Sequence, residues 1–233
     1  MKDQSYRSAL IVGAGSGLSA SLARAFAKAG LSVTLAARST EKLAGLAQET
    51  NSKICSCDAT KRADVERLFV DLDAAASAPD VVVYNASYRT RGPLTELDPS
   101  EVEKSIQISA FGGFLVAQAA VKRMLPRGQG AVLFTGASAS VKGYAQSASF
   151  AMGKFALRGL AQSMARELAP QGIHVAHFVI DGGIRSARRA EPADKPDSLL
   201  DPDAIAQNYL HVLNQPRSAW AWEIELRPWV EKF

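Results

Sequence analysis

Short β-branched runs alternate with longer helical patterns along nearly the whole chain, and this alternation constrains the fold more than any other feature. Ala9-Leu10-Ile11-Val12, Ser32-Val33-Thr34-Leu35-Ala36 and Lys53-Ile54-Cys55-Ser56-Cys57 are each followed by a helix-length stretch. Val81-Val82-Val83-Tyr84, the run 131–135 and the run 173–180 continue the series and are apolar along most of their length. Strands covered on both faces read this way, and parallel strands need crossover helices to join them. The pattern predicts an α/β fold: a Rossmann-type doubly wound parallel sheet of about seven strands within a three-layer αβα sandwich.

At 233 residues the chain fits one domain spanning 1–233. Its 47% apolar and 21% charged residues exclude an intrinsically disordered protein, because enough surface can be buried to offset chain entropy. The formal charge is +4, yet 27 basic residues are interleaved with 23 acidic ones and form no stripe that could follow a phosphate backbone. Nucleic acid is therefore not an expected partner. No apolar run approaches the ~20 residues of a membrane helix, and Met1-Lys2-Asp3-Gln4-Ser5 leads into a short strand rather than a signal-peptide core. A cytoplasmic protein without membrane association is expected. Cys55 and Cys57 read as small core residues on opposite faces of a strand, with neither a disulfide nor a metal site indicated.

Asp98-Pro99-Ser100-Glu101 marks a helix start with an N-cap acid, a proline at the first helical position and a first-turn acid, and Asp201-Pro202 repeats the first two signals. Prolines and mixed charges without periodicity predict a mobile substrate loop over 185–203. Residues 219–226 alternate as a strand expected at a sheet edge or an oligomer contact. His174 and His177, inside an apolar strand, are expected to be satisfied core histidines.

Gly13-Ala14-Gly15-Ser16-Gly17 follows the first strand and opens a helix whose apolar face is Leu18, Leu22, Phe26 and Ala29. Such a turn lets backbone approach a pyrophosphate while the helix N-terminus supplies N–H donors, so dinucleotide binding is expected there. About 20 residues on, where an acid would hold the ribose 2′-hydroxyl of NAD, the second strand ends in Ala37-Arg38-Ser39. Arg38 can pair with a 2′-phosphate, which favours NADP while leaving NAD open. Asp58, at the end of the third strand, can accept from an adenine amino group or cap the following helix.

These residues resemble the short-chain dehydrogenase/reductase family over nearly the whole chain. Gly13-Ala14-Gly15-Ser16-Gly17-Leu18-Ser19 is similar to its glycine motif, with Ser19 in the place of a third glycine. Asn85-Ala86-Ser87 is similar to its Asn-Ala-Gly element, and Asp181-Gly182-Gly183-Ile184-Arg185-Ser186 to its Pro-Gly turn, with Asp181 and Ser186 replacing a proline and a threonine. The resemblance implies cofactor contacts at Gly13, Gly15, Ser16, Gly17, Leu18, Asn85, Ala86, Lys154, Gly182, Ile184 and Ser186. It also implies a homodimer or homotetramer through the two long helices.

The family's chemistry rests on a tyrosine one helical turn before a lysine, a serine in the loop upstream, and an asparagine on the preceding long helix. Here the lysine matches as Lys154, but Phe150 stands in the tyrosine place, Ser109 in the asparagine place and Ala137 in the serine place, with Ser138 displaced by one. Phe150 and Lys154 share a helix face, so Lys154 still reaches the nicotinamide ribose, whereas a phenyl ring has no proton to give. Tyr144 and Tyr88 lie in loops leaving the carboxyl ends of strands and are candidate substitute acids or pocket-wall aromatics. Lys154, Ser138 and Tyr144 are the candidate catalytic residues. The expected function is an NADP-binding oxidoreductase with an altered site, acting weakly or unusually on a small carbonyl or alcohol substrate; a non-catalytic nucleotide-binding or scaffold protein is the alternative.

Overall fold

The computed structural model describes residues 6–231. Seven strands, β1 (Ser8–Val12), β2 (Ser32–Ala37), β3 (Lys53–Ser56), β4 (Val81–Tyr84), β5 (Gly130–Thr135), β6 (Ile173–Ile180) and β7 (Glu223–Leu226), form one sheet in the order β3-β2-β1-β4-β5-β6-β7. Every neighbouring pair is parallel. The order reverses between β1 and β4, opening a crevice at their carboxyl ends where α/β folds of this kind bind ligands.

Alternation along each strand assigns side chains to two layers. Ala9, Ile11, Val81, Val83, Ala131 and Leu133 pack with helices α1 (Leu18–Lys28), α2 (Ala44–Thr50) and α7 (Pro202–Leu213). Leu10, Val12, Val82, Tyr84, Val132 and Phe134 pack with α3 (Arg62–Ala74), α5 (Gly112–Met124) and α6 (Ala148–Leu168). This is the three-layer Rossmann-type sandwich. Both predicted helix starts are present: the Asp98 side chain accepts from Ser100 N–H ahead of α4 (Pro99–Ile106), and Asp201 accepts from Asp203 N–H ahead of α7, each at 2.8 Å.

Three expectations are corrected. Cys55 and Cys57 pack against the same layer, because residues two apart on a pleated strand share a face. The terminal strand begins only at Glu223; Arg217–Ala219 form a 3₁₀ turn whose Trp220 ring stacks on His174 at 4.5 Å. Helices α4 and α5 are fused by a π-turn, Gln107–Phe111, so that Pro99–Arg127 becomes a single 29-residue run long and apolar enough, by length and composition alone, to cross a membrane. Leu115, Val116, Ala120 and Met124 of that run are buried in the layer under the sheet.

Candidate active site

At the switch point the site is made of backbone. Gly13 has φ +85°, and a Cβ there would stand 2.4 Å from the Ala86 nitrogen, so the β1 and β4 loops touch only because residue 13 has no side chain. The buried Ser19 hydroxyl donates to Gly13 O at 2.9 Å and accepts from Asn85 Nδ2 at 2.7 Å. The serine that departs from the glycine motif thus ties the loop to the Asn85 segment. Beside it opens a cavity of about 350 Å³ lined by Gly13, Ala14, Arg38, Asp58, Asn85 and Ala86, among others. Five predicted cofactor contacts, from four separate loops, meet in this cavity. Asp58 Oδ1 accepts from Thr60 N–H at 3.1 Å and the Thr60 hydroxyl at 2.8 Å, shaping its own turn, while α3 takes Lys61 as N-cap. Arg38 makes no side-chain hydrogen bond or ion pair among the described residues.

Further along the same edge the site is made of side chains. Lys154 is 2% exposed and donates from Nζ to Thr135 O at 2.8 Å. That bond uses one of its three donors. Burial pushes its pKa down to about 8. The Phe150 ring lies one turn earlier, its centroid 5.8 Å from Lys154 Nζ and 5.0 Å from the guanidinium carbon of Arg89. Ser138 opens a short turn, Ser138–Ser140, after β5, and α6 packs against this turn. Tyr144 is exposed in the loop between them. Tyr88 is engaged elsewhere: its hydroxyl bonds Glu101, and Lys104 Nζ donates to it at 3.3 Å from α4. These bonds tie the Tyr88 loop to α4. Ser109, fully buried in the π-turn, accepts from Tyr88 N–H at 3.4 Å, and a Cβ on Gly153 would lie 2.9 Å from the Ser109 Cβ.

Residues 7–196 match the family model for short chain dehydrogenases. The chain belongs to this family. It is 27% identical over 226 residues to an uncharacterized oxidoreductase of Staphylococcus aureus (strain USA300), covering 94% of this chain and 96% of that one. Among solved structures it resembles a short-chain dehydrogenase from Rhodopseudomonas palustris at 35% identity and TM-score 0.82, covering 96% and 99% of the two chains. It also resembles an alcohol dehydrogenase from the archaeon Thermococcus sibiricus, complexed with 5-hydroxy-NADP, at 25% identity and TM-score 0.84, covering 97% and 98%.

Helix α6 is supported from below by a network that sequence patterns do not reveal. Arg158 of α6 grips Glu223 of β7 through two bonds of 2.6 and 2.7 Å, and Glu223 also accepts from His177 Nδ1 at 3.1 Å. His177 is fully buried; desolvation pulls its pKa down to about 4 despite the neighbouring Glu223 carboxylate, so the ring is neutral. The expectation of satisfied histidines is half met: His177 Nε2 and His174 Nδ1 lack partners. Asp181, in the place of the family's proline, is buried and receives Lys142 Nζ at 3.1 Å, which fastens the Tyr144 loop to the end of β6. The 185–203 segment is closed at its base by Leu200 N–H to Gly183 O at 2.8 Å and by an Arg185–Asp201 ion pair at 2.5 Å. Gly182, at φ +149°, meets Pro228; Ile184 bridges to Leu200, and Ser186 bridges to Arg189. Nothing in the sequence marks Arg89, on the loop after Asn85-Ala86-Ser87-Tyr88, as a neighbour of the Phe150 ring.

Proposed function

We propose that this short-chain oxidoreductase uses NADP on a small carbonyl or alcohol substrate, slowly or by an unusual proton route. The observation that carries the reading is the buried Lys154 ammonium kept one turn from a phenyl ring that cannot titrate. The residues fit a dinucleotide: a glycine cradle that a Cβ would fill, a helix N-terminus, the unpaired Arg38, and Lys154 with donors to spare. The complex of the Thermococcus sibiricus relative with 5-hydroxy-NADP supports the choice of NADP.

A bound nicotinamide dinucleotide supplies or accepts the hydride. Gly13, Gly15, Ser16, Gly17 and Leu18 present backbone to its phosphates, with Asn85 and Ala86 closing the crevice. Gly182, Ile184 and Ser186 flank the far side, Arg38 meets the 2′-phosphate and Asp58 the adenine. Lys154, protonated below about 8, donates to ribose hydroxyls. Ser138 orients the substrate oxygen. With carbon at residue 150, the proton comes from the Tyr144 phenol or from solvent, which is why turnover is slow. The exposed Phe111, Phe114, Met152 and Phe155 on the long helices form the surface we assign to a homodimer or homotetramer, to be read by light scattering.

Calorimetric titration with NADPH and NADH, followed by absorbance at the NADPH band with small aldehydes and ketones, tests the reading. NADPH should bind more tightly, Arg38→Ala should weaken it roughly tenfold while sparing NADH, and Lys154→Met should halt consumption. Equal affinities indifferent to Arg38→Ala would defeat the NADP assignment. Tight NADPH binding with no consumption of any carbonyl compound tried would defeat the enzymatic one.

A further inference from the structure

Lys154 and Arg158 lie one turn apart on α6, and each reaches down to the sheet. Lys154 Nζ donates to Thr135 O, at the end of β5, at 2.8 Å. Arg158 holds Glu223 of β7, and Glu223 accepts from His177 Nδ1 at 3.1 Å. A carboxylate can only accept, so the ring proton sits on Nδ1 and Nε2 carries a lone pair. Nε2 has no hydrogen-bond partner among the described residues, yet the ring is fully buried. No step of the proposed chemistry uses it.

The Nε2 edge of the ring meets the same peptide that Lys154 bonds. A Cβ on Gly136 would stand 2.2 Å from His177 Nε2 and 2.5 Å from its Cε1, so the imidazole fills the space a side chain would need. Gly136 has no left-handed φ, and the ring rather than the backbone conformation demands glycine there. The peptide is fixed on its other sides as well: Gly136 N–H donates to Phe178 O at 2.8 Å, and the Thr135 hydroxyl bonds the Tyr209 hydroxyl of α7 at 2.8 Å. Contacts thus close a circuit from Lys154 through the Thr135–Gly136 peptide, His177, Glu223 and Arg158 back to α6.

We propose that His177 is a positioning residue for Lys154: its ring edge, braced by Glu223, holds the Thr135–Gly136 peptide so that the Thr135 carbonyl keeps the Lys154 ammonium at the crevice. The consequence for cofactor binding rests on the dinucleotide reading, whereas the placement of Lys154 does not. The charged groups that face the ring are Glu223 from β7 and Lys154 and Arg158 from α6. Burial keeps the ring neutral, with a pKa of about 4, wherever Lys154 titrates near 8. It therefore supports the ammonium by shape without adding a like charge.

Two amide replacements separate the edge of the ring from its brace. His177→Asn keeps an amide donor near the Nδ1 place for Glu223 and vacates the edge against Gly136, whereas His177→Gln fills that edge and gives up the bond to Glu223. Carbon-13 NMR of Lys154 Cε, assigned by its loss in Lys154→Arg, follows the titration in the NADPH-free protein, and the wild type should titrate near 8. His177→Asn should lower the midpoint by about one pH unit, because the ammonium loses its bond to a displaced Thr135 carbonyl, and His177→Gln should recover most of that shift. His174→Asn, at a buried histidine of β6 that stacks on Trp220 instead, should leave it unchanged. Calorimetry should show NADPH and NADH both weakened roughly fivefold in His177→Asn, since both carry the ribose that Lys154 meets. A midpoint that stays or rises in His177→Asn, or that falls as far in His177→Gln or His174→Asn, overturns the inference. If His177→Asn does not fold, Glu223→Gln, which leaves the ring and weakens its brace, decides in its place: a lowered Lys154 midpoint supports the inference and an unchanged one overturns it. If neither dinucleotide binds the wild type, the cofactor reading fails separately, and the Lys154 titration still decides this one.

Discussion

At the glycine loop the crevice is built from backbone, with Gly13 at a left-handed φ against Ala86 and Ser19 bonded to both loops. Above β5 and α6 it is built from side chains, among them the Phe150 ring, Ala137 and the buried Ser109 hydroxyl, which we propose to stand where the family carries its acid and its partners. Backbone geometry tolerates almost no substitution without disturbing the sheet, whereas a side chain at an open rim can change while the helix beneath it stays intact. The two ends of one crevice can thus diverge in chemistry while sharing a scaffold. Ser19 illustrates the tolerance that remains: it replaces a glycine by adding a hydroxyl that bonds both sides of the junction.

The largest effect should come at the side-chain end. Phe150→Tyr, with Ala137→Ser, should raise NADPH-dependent carbonyl reduction by roughly 10²–10⁴-fold, the usual worth of a positioned general acid; steady-state rates at saturating NADPH read it, and no rise would break the contrast between the two ends. At the backbone end, Gly13→Ala should cost about 3 kcal/mol of stability and abolish NADPH binding, because the new Cβ meets Ala86 backbone at 2.4 Å in a left-handed conformation. Gly15→Ala, with open space around its Cβ, should cost less than about 1 kcal/mol. Urea denaturation of the two variants side by side separates them.

A pH-dependent effect concerns the support beneath α6. His177 has its pKa lowered from 6.5 to about 4, so the unfolded chain binds the extra proton first. Its contribution is present above about pH 6.5 and is lost as pH falls toward 4, on the order of 3 kcal/mol in all. Glu223, desolvated but held below its ordinary range by Arg158 and His177, adds to the loss at the acid end of that window. Urea midpoints between pH 7.5 and 4.5 should fall steeply in the wild type and more shallowly in His177→Asn.

The fold was legible because its strands are local: apolar runs at 9–12, 81–84 and 173–180 announce themselves without reference to one another. The crevice was legible in part for the same reason, since Gly13, Arg38 and Asp58 each end a recognisable strand, and Phe150 and Lys154 share one helix face. What sequence hid are pairings between distant segments. Nothing near Glu223 indicates that it bonds Arg158 and His177, nothing near Arg89 that its guanidinium settles on Phe150, and nothing near Ser109 that the π-turn Gln107–Phe111 brings it against Gly153. Nothing near Tyr88 indicates that Glu101 and Lys104 engage its hydroxyl.

A crystal structure of the NADP complex measures the central claim most directly, through the distances from the nicotinamide C4 to the residue-150 ring and to every hydroxyl around it. Phe150 should be the side chain facing that carbon, with Lys154 Nζ on the ribose hydroxyls and Arg89 stacked above the ring. A residue-150 ring turned away from the nicotinamide, with another phenol hydrogen-bonded to Lys154 in its place, would contradict it.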